Sequence, residues 1–546
     1  MKRLGFVLPL LMMTALLIGT VVCFSPYAPA AAPAPEDIEA IWSIEDARQE
    51  SEIPLIKVLH NHGAPLGYDA ESNVFYCTLG LDLDENWPEI HLTAPDVKGV
   101  QLQFVDDYTY DRCCDAVQDG YSYEVITYTE QEYFYTRIIF TGLPLVTIKC
   151  DENIGDVDLP MEIAVSSGNH ESIISTGNIH LRGGSSKRAE KKNLKIEFTR
   201  SAGGKRREVS LPGIGIRNDI LLNPMMCDEL LVRDRLCWEL YDQMLGDAYQ
   251  GGFDARKITY AELFLNDTYY GVYLLMEPME EKKELLETGT SHLLTDSVYR
   301  TRPTKYKRRR PILTNPKVPG RSYELRYEPA DGNWQFAAMK TYMELLQEED
   351  DMVFADKAAS AVDIESAIRY VLLTQASALS DNLSNNMYIW ARNTASGMRY
   401  QFVPWDMDMS WGKAWGGTDD KFGTDLDGWY SLEIIDRMIA SNAGGAADLL
   451  AERWHNWKET IFDVNRIGAL VDQYYNELCA SGALMRNDMR WGYETIPESY
   501  SFIDFAEKRF AVIDRAVELI ENRNEEFLKF LKNGIPGSKY ARVYDF

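Results

Sequence analysis

The sequence predicts an α+β protein with more than one domain. Short runs of β-branched and aromatic residues, separated by Asp, Gly and Pro clusters, recur from residue 36 to about residue 280 and are typical of strands. After about residue 430 the apolar residues follow helical spacing almost to the end of the chain. With 546 residues the chain exceeds the usual size of one domain, so two or three are expected.

Residues 1–35 are predicted to be an export signal or a membrane anchor. Lys2 and Arg3 precede a long apolar run, and an Ala- and Pro-rich segment follows with A-x-A spacing at Ala28 and Ala30. The apolar run is long for a signal, so an uncleaved anchor is the alternative. The protein is therefore expected to be secreted or extracytoplasmic, with membrane attachment only through this segment.

Composition restricts the classes of partner. The formal net charge is -28, and 45% of the residues are apolar, as in a soluble globular protein. A chain this acidic is a poor non-specific ligand for nucleic acid and for anionic membrane surfaces. We therefore expect no nucleic-acid partner, and attraction instead to metal cations and basic polypeptides.

Residues 36–150 are predicted to form a small β-rich accessory domain. Runs such as VQLQFV, YSYEVITYT and YFYTRIIF alternate and end at turn-forming residues. Their pattern indicates no function for this domain.

Residues 151–546 are predicted to form a second, larger domain, with a helical subregion at about 430–546. In KKNLKIEF, apolar and charged residues alternate from Leu194 to Phe198 as in a half-buried strand. A helical pattern follows, with Asp228 as its candidate N-cap and Gly246 as its stop. The segment KITYAELFLNDTYYGVYLLME then has the pattern of two strands joined by an Asn-Asp turn.

Residues 300–326 form a basic island in this acidic chain. Ten of them are Lys or Arg, and only Glu324 is acidic. Most runs of like charge are solvated loops. The local contrast makes a role facing phosphates or an acidic partner an equal alternative.

A helix predicted for residues 363–380, with Asp363 as its cap, leads into a group of cation-binding side chains. Asp381 follows the helix, Asn386 comes five residues later, and Asp406 comes after two strand-like runs. Protein kinases place a substrate-contacting Asp, a metal-holding Asn and a Mg²⁺-holding Asp in this order. Mg²⁺ prefers hard oxygen ligands, and a hairpin can hold such ligands rigidly at its two ends. Capping or loop roles for the same side chains are the alternative.

The upstream segments follow the order of a kinase small lobe. A Gly/Ser loop at 183–186 precedes a strand that bears Lys192 and Lys195, one of which would contact nucleotide phosphates. A helix follows, on which Glu239 is a candidate partner for that lysine. The hairpin that ends in YLLMEP would then be the hinge.

Five segments in order resemble the spore coat protein H (CotH) kinase family. They are LRGGSS…KKNLKIEF, LLVRDRLCWELYD, AELFLNDTYYGVYLLMEPMEEKK, DNLSNNMYIW and VPWDMDMSWG. The resemblance covers roughly residues 160–530 and does not cover residues 36–150. It implies an atypical secretory-pathway kinase with a diverged, protein-kinase-like two-lobe fold and a helical C-terminal part.

The resemblance also implies roles for individual residues. Asp381 matches the family's catalytic Asp, Asn386 the metal-side Asn, and Asp406 the metal-binding Asp that follows the hairpin, with Asp408 as a further metal ligand. Lys192 matches the basic pair before the strand and is assigned a catalytic role as well as a phosphate-binding one. The predicted nucleotide-binding set is Arg182, Ser185, Ser186, Lys192, Lys195 and Glu277.

The predicted function is that of an exported, metal-dependent Ser/Thr protein kinase. It would bind ATP with Mg²⁺ or Mn²⁺ and transfer the γ-phosphoryl group to a Ser or Thr of a coat or envelope protein. The chain departs from ordinary kinases, because it has no His-Arg before Asp381, no D-F-G and no G-x-G-x-x-G loop. A catalytically inactive, kinase-like docking protein of a coat or extracellular assembly is therefore one alternative, and a surface carbohydrate-binding protein is another.

Overall fold

The computed structural model describes residues 35–533 with internal gaps. The gaps are 81–86, 106–111, 152, 170, 184, 202–203, 213, 247–256, 280–296, 304–311, 315–320, 328–335, 384, 395, 415–416, 419–427 and 496–498. The predicted signal or anchor therefore lies outside the described residues. Among the helices that the structure describes, none combines the length and the apolar character needed to cross a membrane.

The described residues of the N-terminal part form two helices and nine strands. They are α1 (Pro35–Asp46), β1 (Gln49–Glu50), β2 (His60–Asn61), β3 (Ala64–Pro65), β4 (Gly67–Asp69), β5 (Val74–Thr78), β6 (Leu92–Thr93), β7 (Gln101–Phe104), α2 (Cys113–Gln118), β8 (Ser122–Tyr128) and β9 (Glu132–Thr141). A six-stranded sheet has the order β4-β5-β9-β8-β7 with β1 added on β9, and β3-β2-β6 form a smaller sheet. Phe75, Val117 and Ile138 are fully buried in the core of this part, which helix α2 shares with the larger sheet.

The next strands close into a seven-stranded barrel. The elements are β10 (Leu145–Lys149), β11 (Leu159–Ser166), β12 (Ser172–Leu181), β13 (Leu194–Thr199), β14 (Val209–Leu211), β15 (Gly215–Arg217), β16 (Asp219–Asn223), α3 (Arg233–Leu245), β17 (Ile258–Leu265) and β18 (Thr268–Met276). The order is β10-β11-β12-β13-β16-β18-β17, and parallel pairing of β17 with β10 closes the ring. Alternation predicts single strands such as β13 correctly, but it carries no information on this pairing of distant strands.

The turn between β17 and β18 confirms the predicted hairpin. Asn266 and Asp267 both have positive φ, 50° and 58°, as a two-residue type I′ turn requires. Helix α3 ends at Gly246 as expected, but it begins after the predicted start. Asp228 still caps the helix, because its carboxylate accepts a hydrogen bond from the backbone amide of Arg233, the first helical residue, at 2.6 Å.

A second sheet and, among the residues that the structure describes, three helices follow the barrel. The elements are β19 (Ser297–Pro303), β20 (Ile312–Thr314), β21 (Arg321–Tyr327), α4 (Ala337–Gln347), α5 (Asp351–Ala361), α6 (Ile364–Ser377), β22 (Tyr388–Thr394), β23 (Gly397–Val403), β24 (Lys413–Ala414) and β25 (Gly417–Thr418). The antiparallel order is β20-β21-β19-β22-β23, with β24 and β25 as a separate pair. Helix α6 confirms the predicted helix, since the Asp363 side chain caps it by accepting a hydrogen bond from the Ser366 amide at 3.0 Å.

The C-terminal part is helical, as the periodicity predicts. It contains α7 (Glu433–Ser441), α8 (Ala446–Lys458), α9 (Val464–Ala480), α10 (Ala483–Trp491), α11 (Ser499–Glu521) and α12 (Glu525–Asn533). The last amphipathic run is two helices and not one, because Arg523 has a positive φ of 48°. Helices α7, α8 and α11 pack against α6, whose residues 366–377 are all buried, and the C-terminal helices share one large core with α3 and the second sheet.

A buried ionic network joins the N-terminal sheet, the barrel and the helical part. Glu262 of β17 has no exposed surface and pairs with Arg486 of α10 at 2.9 Å. The hydroxyls of Thr141 and Tyr269 donate to the same carboxylate at 2.6 and 2.7 Å. Each partner offsets the desolvation of the others, so this junction depends on all of them.

Candidate active site

The candidate site lies where the barrel, α3 and the end of the β22–β23 hairpin meet. Asp234, in the first turn of α3, accepts hydrogen bonds from the Met407 amide at 3.1 Å and from the Asn223 side chain at 3.0 Å. The guanidinium of Arg182, which follows β12, lies 5.4 Å from the centre of the Trp405 ring. The segment after β23 is therefore held against both the barrel and α3.

Amide side chains tie the two ends of the hairpin together. The Asp381 carboxylate accepts hydrogen bonds at Oδ2 from Asn386 at 2.6 Å and from Asn385 at 3.0 Å. Asn386 Nδ2 also donates to the Asp406 carbonyl at 3.5 Å. The structure thus brings Asp381, Asn386 and Asp406 together.

Asp406 has an unusual backbone conformation. Its φ of 61° lies in the left-handed region, which Asp tolerates better than most residues. Its side chain is 40% exposed. The turn after β23 therefore leaves the Asp406 carboxylate accessible to solvent while the next amide, that of Met407, donates to Asp234.

Carboxylates gather around this turn. Burial raises the pKa of Asp408 well above its usual value, and the carboxylates of Asp406, Asp234 and Asp381 raise it further. Burial also raises the pKa of Asp234 to about 7, and Asp406 adds to this effect. Neighbouring carboxylates disfavour each other's ionisation, whereas a divalent cation among them would favour it.

The donor set fits a hard divalent cation. Carboxylate and amide oxygens are the ligands that Mg²⁺ and similar ions prefer. Within the described ranges no group of three or more His, Cys, Asp or Glu side chains is placed to hold a metal ion. A metal ion here would therefore take only part of its coordination shell from Asn386, Asp406 and Asp408, as Mg²⁺ does when phosphates and water complete it.

Arginines from the barrel and the second sheet lie beside the carboxylates. Arg300 of β19 is only 6% exposed, donates to Asn386 Oδ1 and lies 3.9 Å from an Asp406 oxygen. The guanidinium carbons of Arg300 and Arg326 lie 5.6 and 5.8 Å from the centre of the Tyr388 ring. Burial lowers the pKa of Arg182, Asp406 opposes this effect, and Arg300 adds to it. Arg300 and Arg326 of the basic island therefore lie beside the Tyr388 ring at the start of the hairpin.

The predicted lysines make their described contacts away from the carboxylates. Lys192 Nζ donates to the Lys187 carbonyl at 3.1 Å. Lys195 pairs with Asp219 of the neighbouring strand β16 at 2.9 Å and with Glu197 of its own strand at 3.2 Å. Of the three basic residues predicted to bind nucleotide, Arg182, Lys192 and Lys195, Arg182 is therefore the one whose described interactions reach Asp406.

The other predicted nucleotide-binding residues have separate surroundings. Glu277 is buried and pairs with Arg217 at 2.9 Å. The side chains of Ser185 and Ser186 lie outside the described residues. Glu239, the candidate lysine partner, accepts a hydrogen bond from Gln243 one turn further along α3.

Sequence reasoning missed Asp234 and Arg300. Asp234 stands in the segment LLVRDRLCWELYD, where only the helical pattern was interpreted. Its signal is a carboxylate in the first turn of a helix whose other residues are mostly apolar. Arg300 was visible only as one of many charges in the basic island, because the pairing of β19 with β22 that places it is not encoded locally.

Comparison with known families agrees with the resemblance seen in the sequence. A family model described as CotH kinase protein matches residues 179–522, which is more than half of the 546-residue chain. The matched range includes every residue of the candidate site. No curated protein matches the chain.

Proposed function

Because this chain belongs to the CotH kinase protein family, we propose that it is an exported, metal-dependent protein kinase. It would transfer the γ-phosphoryl group of ATP to a Ser or Thr of an extracytoplasmic coat or envelope protein. The observation that carries this proposal is the meeting of Asp381, Asn386, Asp406 and Asp408 at one end of a hairpin, beside the buried Arg300.

The proposal includes a diverged two-lobe kinase-like architecture. The barrel with α3 would be the nucleotide-binding lobe, and the β19–β23 sheet with helices α4–α12 would be the second lobe. Both parts contribute side chains to the site. Arg182 and Asp234 come from the first part, and Asp381 and Arg300 come from the second.

In the proposed mechanism Asn386, Asp406 and Asp408 would hold Mg²⁺ or Mn²⁺. The bound ion would supply charge neutralisation at the β- and γ-phosphates. Asp381 would orient the acceptor hydroxyl and take its proton as the hydroxyl oxygen bonds to the γ-phosphorus and the bond to the β-phosphate oxygen breaks. Its two hydrogen bonds from Asn385 and Asn386 support this role, because they fix the carboxylate in one orientation.

Arg182 would contribute positive charge on the nucleotide side. Its coupling to Asp406 supports this role. Lys192, Lys195, Ser185, Ser186 and Glu277 complete the proposed nucleotide-binding set. Most of the rate gain would come from positioning and electrostatics and not from covalent chemistry by the protein.

Transfer of label tests this function. The purified full chain is incubated with γ-labelled ATP, Mn²⁺ or Mg²⁺ and a basic acceptor such as myelin basic protein. Asp406→Asn should abolish transfer. Asp504→Asn, which removes an exposed carboxylate on α11, should leave transfer unchanged. Absence of transfer by the unmodified chain to any acceptor of a coat and envelope panel, or equal transfer by Asp406→Asn, would refute the proposal.

A further inference from the structure

Arg300 donates a hydrogen bond to the oxygen atom of Asn386 that the proposed metal ion would bind. On β19 it stands directly opposite Tyr388 of β22, in register, so its side chain lies beside the start of the hairpin. The guanidinium donates to Asn386 Oδ1. That oxygen is the only atom of the Asn386 side chain able to bind a cation.

The orientation of the Asn386 amide is determined by its neighbours. Nδ2 donates to the Asp381 carboxylate at 2.6 Å, and an ionised carboxylate can only accept. On the other side Arg300 can only donate. Rotating the amide by half a turn would place Oδ1 against the Asp381 carboxylate, acceptor against acceptor, and Nδ2 against Arg300, donor against donor. Oδ1 therefore faces Arg300. A metal ion must compete with the guanidinium for this oxygen.

Arg300 also has hydrogen-bonding capacity left over. Its Nε–H has no hydrogen-bond partner among the described residues, although the side chain is only 7% exposed. Buried donors in native proteins nearly always have a partner, so this N–H is available to an acceptor that a ligand or water supplies. Arg182 interacts electrostatically with both Arg300 and Arg326, so an anion bound here would meet three guanidinium groups.

We propose that Arg300 is a phosphate-binding residue that couples nucleotide binding to metal binding. The guanidinium leaves Asn386 Oδ1 for a phosphate oxygen of the nucleotide, and the freed amide oxygen then binds the metal ion. Each ligand therefore tightens the binding of the other by the same factor. This inference deepens the proposed function and depends on it for the identity of the anion.

Metal affinity measured without nucleotide tests the competition directly. Mn²⁺ binding to the full chain is measured by isothermal titration calorimetry for the unmodified protein, Arg300→Met and Arg326→Met. Removing Arg300 should tighten Mn²⁺ binding about tenfold, because a charge-assisted hydrogen bond no longer competes for the amide oxygen. Arg326→Met is the matched control, since it removes the same charge from the same side but its guanidinium donates to Glu324 at 3.1 Å.

The second arm repeats the titrations with the non-hydrolysable analogue AMP-PNP. In the unmodified protein the analogue should tighten Mn²⁺ binding about tenfold, and in Arg300→Met this gain should vanish. Arg300→Lys keeps the charge without the planar guanidinium and should fall between the two. This variant keeps the test decisive if Arg300→Met unfolds.

The outcomes separate this inference from the function it depends on. Equal Mn²⁺ affinity of Arg300→Met and Arg326→Met without nucleotide overturns the competition. An unchanged gain from AMP-PNP in both Arg300 variants overturns the coupling. If the unmodified protein binds Mn²⁺ but no AMP-PNP, the proposed function fails together with the phosphate role, whereas the comparison without nucleotide still decides whether Arg300 blocks Asn386.

Discussion

Replacing Asp234 by Asn should change how the stability of the protein depends on pH. Asp234 is 2% exposed and accepts hydrogen bonds from the Met407 amide and the Asn223 side chain. Burial raises its pKa from 3.8 to about 7. The folded protein therefore keeps a proton on this carboxyl over a pH range in which the unfolded chain has lost it.

The sign and the size follow from this shift. The stabilising effect of the retained proton is complete below pH 3.8 and is lost as the pH rises through 7. Between pH 4.5 and pH 8 the free energy of unfolding should fall by about 3 kcal/mol on account of Asp234 alone. The Asn variant does not titrate, so this part of the pH dependence should be absent from it.

The variant also carries a cost that does not depend on pH. Asn223 Oδ1 already accepts a hydrogen bond from the Met225 amide at 3.1 Å, so Asn223 cannot reverse its amide. An Asn at position 234 would then place its NH₂ group against one of two buried donors, which costs about 1–3 kcal/mol. The variant should be less stable than the unmodified protein at pH 4.5, and this disadvantage should shrink or reverse by pH 8.

Urea unfolding followed by Trp fluorescence at both pH values, with EDTA present, measures this difference. Asp504→Asn, on the exposed face of α11, is the control for loss of a carboxylate. A gap between the unmodified protein and Asp234→Asn that is the same at pH 4.5 and at pH 8 would refute the reasoning. It would mean that Asp234 is not buried among carboxylates in the folded state.

Three further substitutions test other parts of the structure. Arg486→Met should lower the free energy of unfolding by about 3–5 kcal/mol, because Glu262 is left buried without its cation, and adding Glu262→Gln should restore most of it in the same urea assay. Asp363→Ala should lower the free energy of unfolding by about 2 kcal/mol, because Asp363 caps α6 and also accepts a hydrogen bond from Gln401. Asp350→Ala, at the exposed cap of α5, should lower it less, and equal losses would contradict this. Asp381→Asn should slow label transfer about a hundredfold or more while Mn²⁺ still binds, and loss of Mn²⁺ binding instead would give Asp381 a metal-binding role.

The sequence predicts those parts of the fold that depend on local patterns. The turn at Asn266 and Asp267, the cap of α6 at Asp363 and the C-terminal helices depend on short-range spacing, and the structure contains all of them. Closure of the barrel depends on β10 pairing with β17, more than a hundred residues later in the chain. No periodicity encodes such a pairing, and the barrel was therefore not predicted.

The candidate site divides in the same way. Asp381 and Asn386 precede one hairpin in the sequence and Asp406 follows it, so their proximity follows from a local turn of the chain. Arg300 and Asp234 reach them from β19 and α3 through tertiary contacts. Lysines are conspicuous in the sequence, but the described contacts of Lys192 and Lys195 lie away from the carboxylates of the site. Lys192 donates to the Lys187 carbonyl, and Lys195 pairs with Asp219.

The most direct test of the central claim is to locate the metal ion. Crystals of the full chain grown with Mn²⁺ and AMP-PNP would be measured for anomalous scattering from manganese. A peak about 2.1 Å from a carboxylate oxygen of Asp406 and from Asn386 Oδ1, bridged to the analogue's phosphates, is the predicted result. A nucleotide bound elsewhere, or manganese bound without contact to either residue, would contradict it.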